Sequence, residues 1–109
     1  MQKYDILISE LAEQDLENVG DYVAEVLKNP KAAVDTIRGI RRMMGELQCF
    51  PERYELDVDP VIADYGVRSA CYRNYKIYYI VKNSTVFIIR ILHTLMNARK
   101  WIYRSFRME

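Results

Sequence analysis

The feature that constrains this chain most is a change of period partway along it. Ala12, Leu16, Val19, Val23 and Val26 recur at spacings of 4, 3, 4 and 3, and Ala33, Ile37, Ile40, Met44 and Leu47 repeat the same spacings. Each set lines one face of an amphipathic helix. Between them Asn29-Pro30 marks a turn, with Asn as cap and Pro in the first turn of the second helix, and Phe50-Pro51 ends that helix. Two stripes on so short a link predict an antiparallel helical hairpin, which needs another layer to bury both faces. After residue 65 the pattern turns to strands: Gly66 to Arg73, Lys76 to Lys82, and Thr85 to Leu92. Asn83-Ser84, between the last two, suits a tight hairpin.

The remaining segments complete an α+β order. Tyr4 to Ile8 reads as an opening strand, and Ser9 then offers an N-cap ahead of Glu10 and Glu13. Residues 51–65 hold two prolines and no clear period, so they are expected to form a loop. Asn97 to Phe106 suits a terminal helix with Ala98, Trp101, Ile102 and Ser105 along one side. The expected architecture is β-α-α-β-β-β with a further α, the hairpin packed on one face of a small, mainly antiparallel sheet. The other sheet face is expected to be open. At 109 residues the chain fits a single domain, 1–109.

Several classes are excluded at this level. No apolar run approaches the ~20 residues of a membrane span, and Met1-Gln2-Lys3-Tyr4-Asp5 has no signal-peptide pattern. A cytoplasmic protein without membrane contact is the expectation. Cys49 and Cys71 have no CxxC spacing and the chain has one histidine, so neither a metal site nor a cofactor is expected. Both cysteines are read as free, largely buried thiols.

Charge supplies the functional lead. Up to Tyr65 there are fourteen Asp or Glu against seven Lys or Arg; from Gly66 onward there are nine Lys or Arg against Glu109 alone. A net of minus seven therefore faces a net of plus eight, which suits a polyanion or an acidic protein partner. The plainer reading is that acidic helices neutralise a basic sheet beside them. Arg68, Arg73, Lys76 and Arg90 fall on the strands, where side chains alternate faces, so only a subset can cluster.

Five local motifs, taken in order, carry a resemblance over most of the chain. They are Leu11-Ala12-Glu13-Gln14-Asp15-Leu16, Leu47-Gln48-Cys49-Phe50-Pro51, Val67-Arg68, Tyr75-Lys76-Ile77-Tyr78-Tyr79, and Ile89-Arg90-Ile91-Leu92-His93. Together they resemble the RelE/ParE superfamily of type II toxin–antitoxin toxins. The resemblance implies a toxin neutralised by a cognate antitoxin, and one of two activities. RelE-like members cleave messenger RNA in the ribosomal A site; ParE-like members poison DNA gyrase.

The nuclease chemistry is metal-independent attack by the 2′-OH, and it needs proton transfer and charge stabilisation at one phosphodiester. By position the resemblance points to Arg68, Arg90 and His93 as catalytic. Histidine is the side chain type that changes charge near neutral pH; here the other reading is a structural histidine at the strand-to-helix junction. Arg73, Lys76, Arg99, Lys100 and Tyr103 are the candidates for contact with RNA or antitoxin. Tyr72, Tyr75, Tyr78 and Tyr79 either stack nucleobases or fill the sheet core.

One motif departs from the family. Where many members read His-x-Arg-Arg-Asp, this chain reads His93-Thr94-Leu95-Met96-Asn97, which removes two cations. The sequence expectation is a ribosome-dependent mRNA endoribonuclease, with ribosome and mRNA as partners. The alternatives are a non-enzymatic gyrase inhibitor and a degenerate toxin that only binds its antitoxin.

Overall fold

Local signals set the first elements. A computed structural model describes residues 3–107. Met1, Gln2, Met108 and Glu109, which enter the N-terminal reading and the charge split, lie outside the described residues. Strand β1 (Asp5–Ile8) leads into helix α1 (Glu10–Asp21), where the Ser9 hydroxyl accepts the Ala12 N–H at 3.0 Å as the N-cap. The stripe predicts a helix running to about Leu27, but the α-helix ends at Asp21 and widens into a π turn over Tyr22–Val26. The Leu27 N–H closes that turn on the Tyr22 carbonyl at 3.1 Å. The wider turn shifts the phase, so Val23 stays buried while Val26 leaves the stripe and is exposed. Helix α2 (Pro30–Glu46) starts as expected, with Asn29 accepting the Ala32 N–H at 3.1 Å and Pro30 in the first turn.

The segment expected to be a loop is partly ordered into a 3-10 turn at Pro51–Arg53 and helix α3 (Pro60–Asp64). Strands β2 (Arg68–Tyr72), β3 (Tyr75–Lys82) and β4 (Thr85–His93) follow, then helix α4 (Ala98–Arg107). The sheet order is β1-β4-β3-β2, with β1 parallel to β4 and the other two pairings antiparallel. Asn83 and Ser84 both take positive φ, 52° and 63°, the signature of a two-residue type I′ hairpin. Arg73, read from sequence as a strand end, lies in the β2–β3 turn at φ 54°. Among the described residues no helix is long and apolar enough to cross a membrane.

Alternation along the strands divides the core in two. Ile77, Tyr79, Val86, Ile88 and Ile91 pack with Ala12, Leu16 and Val19 of α1 and Ile40 and Met44 of α2. At Gly39 a methyl group would fall inside the Tyr72 ring, so α2 approaches β2 there only because the residue has no side chain. Tyr78 and Leu92, on the opposite face, pack with Val67, Ile62 of α3 and Ile102 of α4. This corrects the expectation of an open second face. Trp101, Ala98 and Phe106 lie against that face too, because the apolar stripe of α4 needs the same burial that the hairpin does. The thiols are both free, but Cys71 is exposed rather than buried, because it lies on the edge strand β2.

Two polar junctions fix the layers. Strand β1 ends where β4 bulges: Tyr78 pairs with Arg90 and Tyr79 with Ile88, leaving Ile89 without a cross-strand partner. Past that point the outer edge of β4 has no strand neighbour, and Asp15 of α1 fills the gap. Its carboxylate accepts the Ile91 N–H at 3.0 Å and both Nε and Nη2 of Arg90 at 2.8 Å. Asp15 and Arg90 are both buried. The second junction ties the 51–65 segment to the sheet. Buried Asp57 accepts from Ser69 Oγ and Lys76 Nζ, each at 2.7 Å, and from the Asp59 N–H at 3.0 Å. Burial acts to raise the Asp57 carboxyl, but the bonds from Lys76, Ser69 and Asp59 outweigh it and hold the group below the usual carboxylate range.

A buried charge stripped of its partner is costly. Asp15→Ala is therefore expected to lower stability by about 3–5 kcal/mol in urea unfolding. Adding Arg90→Met should recover most of that loss, and a single-variant cost under about 1 kcal/mol would contradict the pairing. For Asp57, a depressed folded pKa gives stability that is present above the unfolded value and disappears as pH falls through the folded one. Asp57→Asn should cost about 1–3 kcal/mol at neutral pH. The gap to the unaltered chain should close as pH drops below about 4.

Candidate functional surface

The strands carry the three residues read as catalytic to different places. Arg68 opens β2 opposite Tyr79, and its Nη1 donates to the Tyr54 carbonyl at 2.8 Å. His93 ends β4 opposite Tyr75. Tyr75 and Tyr79 lie four residues apart on the intervening strand, so Arg68 and His93 are separated by roughly 13 Å along the strands and about 10 Å across them. Arg90 is closer to His93 in sequence, but its guanidinium is turned to Asp15. Its Nη1 also reaches the Trp101 carbonyl at 3.4 Å, and its Cζ lies 5.3 Å from the centroid of the Trp101 ring.

His93 is half-buried at the start of a tight turn. Its Nδ1 accepts the Leu95 N–H at 3.1 Å, and its ring meets Tyr75 edge-on at 5.4 Å. The Met96 N–H returns to the His93 carbonyl at 2.9 Å, and the Thr94 N–H to the Asn74 carbonyl at 2.8 Å. With Nδ1 committed as an acceptor, the neutral ring carries its proton on Nε2. His93 therefore has only Nε2 left to offer to anything outside. Beside it lies a groove of about 430 Å³ between α1 and the 93–97 turn, lined among others by Asn18, Val19, Tyr22, Tyr75, Leu95 and Met96. The π turn places Tyr22 at this rim, and Leu95 is 88% exposed.

The other candidates divide by what already holds them. Lys76 is paired with Asp57, and Arg99 with Asp59 at 2.6 Å. The hydrogen bond from Arg99 holds the Asp59 carboxyl below its ordinary range. Arg73 stands over the Tyr72 ring and Lys100 over the Trp101 ring, both exposed and without a carboxylate partner among the described residues. Tyr103 is about half exposed on α4. Of the tyrosines, Tyr78 and Tyr79 are buried and Tyr72 and Tyr75 half-buried against the core. Burial pushes the Tyr79 phenol up to about 12, and its hydroxyl donates to the Pro51 carbonyl at 2.5 Å. Among the described residues no three of His, Cys, Asp and Glu converge as a metal would require.

Asp15 is the residue that sequence reading missed. It occupies an inward position on α1, three residues after Ala12 and one before Leu16, and a carboxylate there demands a cation. Arg90 is the matching signal, because it lies between Ile88-Ile89 and Ile91-Leu92 in an otherwise apolar strand.

A profile of the family described as "ParE toxin of type II toxin-antitoxin system, parDE" matches residues 6–98. No curated protein matches the sequence closely enough to count as a relative. Among solved structures, a chain of the chromosomal ParDE toxin–antitoxin system of P. aeruginosa is similar with a TM-score of 0.70 and 21% identity, covering 84% of this chain and 96% of that one. A chain of the RelBE2 toxin–antitoxin complex of Mycobacterium tuberculosis gives 0.59 and 22%, covering 85% and 93%. A double mutant of the E. coli toxin RelE in the free state gives 0.64 and 16%, covering 99% and 100%. The last three likenesses show the fold, and the match over residues 6–98 shows the family: this chain belongs to the ParE toxins of type II toxin–antitoxin systems, a family that pairs with cognate antitoxins.

Proposed function

We propose that this toxin acts without catalysis, as a ParE-type inhibitor of DNA gyrase, and not as a ribosome-dependent nuclease. The observation that carries the reading is the state of Arg90. Stabilising a phosphorane requires a guanidinium free to meet the phosphate, and here Asp15 occupies both Nε and Nη2. The other two nuclease candidates support it. His93 has its Nδ1 committed to the Leu95 N–H, and Arg68 stands far from it on β2. A nuclease needs its acid, base and charge stabiliser around one reacting centre.

The turn after β4 favours a protein partner instead. Where nuclease relatives are expected to show paired arginines, Leu95 and Met96 stand exposed beside Tyr22 at the rim of a mostly apolar groove, whose one carboxylate, Asp15, is held by Arg90. Exposed apolar side chains around a groove are the usual anchors of protein interfaces. The antitoxin has a separate contact available in Arg73, whose charge suits an acidic segment.

The decisive assay adds purified toxin to gyrase and relaxed plasmid, and in parallel to a translating extract. Loss of supercoiling with intact messages is expected; codon-positioned breaks in mRNA with gyrase unaffected would overturn the proposal. Leu95→Glu should weaken gyrase inhibition at least about tenfold, a hot-spot effect, and leave the urea midpoint unchanged. His93→Asn, which keeps an acceptor for the Leu95 N–H, is expected to retain growth arrest. His93→Ala should cost about 1 kcal/mol in stability without abolishing arrest.

A further inference from the structure

Helix α4 collects positive charge that the rest of the fold leaves unbalanced. Between Ala98 and Arg107 the sequence has four Lys or Arg and no acid. The buried stripe of α4 includes Ile102, with Trp101 and Phe106 half-buried beside it, while Lys100 and Arg104 lie exposed on the outer side. Three cations surround the single Trp101 ring: Arg90 at 5.3 Å, Lys100 at 5.8 Å and Arg104 at 5.1 Å from its centroid. Only Arg90 has a carboxylate; among the described residues Lys100 and Arg104 have none. Asp59, the N-cap of α3, is already taken by Arg99.

We infer that Lys100 and Arg104, held over Trp101, contact the phosphate backbone of duplex DNA without reading its sequence. The inference goes beyond the gyrase proposal and stands independently of it. Stacking on the indole holds the two side chains in place, so less freedom is lost when they meet phosphates. Arg90 is already balanced by Asp15, and the repulsion between the two remaining cations is relieved by an anion above them. The surface is the outside of a helix. Such a convex face suits a duplex backbone, whereas unpaired bases are taken into grooves with open aromatic faces. The Trp101 ring, flanked by cations, offers no such face.

Two phosphate contacts give a definite salt signature. Each neutralised phosphate contributes about 0.9 to the slope of log affinity against log salt. Purified full-length toxin is titrated with a labelled duplex of about 20 base pairs, at salt between about 50 and 200 mM. Label anisotropy and the emission of Trp101, the chain's single tryptophan, are followed together. The slope should flatten by about 1.8 in a variant carrying Lys100→Gln and Arg104→Gln. Of the affinity that the unaltered protein loses across that salt range, about twelvefold should therefore disappear. Trp101 emission should shift with binding in the unaltered protein. An unchanged slope in the variant would overturn the inference. So would capture of a glutamate-rich peptide through the same two residues with no binding to duplex.

Discussion

Everything in this fold is arranged around one buried ion pair. Asp15 and Arg90 are 75 residues apart in sequence, yet they join all three layers. Asp15 belongs to the helical hairpin, Arg90 to the sheet just past its bulge, and Trp101 brings α4 against the same guanidinium. The carboxylate also accepts the Ile91 N–H, so it satisfies the strand edge that β1 leaves uncovered. Neither charge can be buried alone. Hairpin, bulge and terminal helix therefore hold their relative positions together.

What was legible in the sequence was local. The second stripe, the first as far as Val23, and the local signals at Ser9, Asn29-Pro30 and Asn83-Ser84 each sit in the structure where their chemistry placed them. The phase shift at Tyr22–Val26 was not legible, because a π turn leaves an apolar pattern that still looks helical. The fate of the basic half was hidden for a different reason. Arg90, Lys76 and Arg99 each end on an aspartate far away in the chain, and counting charges cannot reveal such pairing. Cys71 was misjudged as buried because the edge position of β2 depends on strand order.

The charge split thus changes meaning once the fold is known. Three of the nine cations after Gly66 neutralise acids from the first half, which favours the plainer reading for those residues. Unpaired charge is left on the outside of α4 and, in Arg73, at the β2–β3 turn, which borders His93 through the bond from the Thr94 N–H to the Asn74 carbonyl. The groove between α1 and the 93–97 turn is mostly apolar by contrast, shaped by the π turn on one side and Leu95 and Met96 on the other. The family supplies the toxin role, and this distribution favours partners held by contact over a substrate that is cleaved.

The most direct test replaces the ion pair with apolar residues. Asp15→Leu combined with Arg90→Met removes both charges at once, a change that buried pairs often tolerate. Growth arrest on induction is then measured, alongside circular dichroism and urea unfolding of the purified double variant. If Arg90 is a structural residue of a non-catalytic toxin, the folded variant still arrests growth. A variant that folds with undiminished stability and no longer arrests growth would contradict the account.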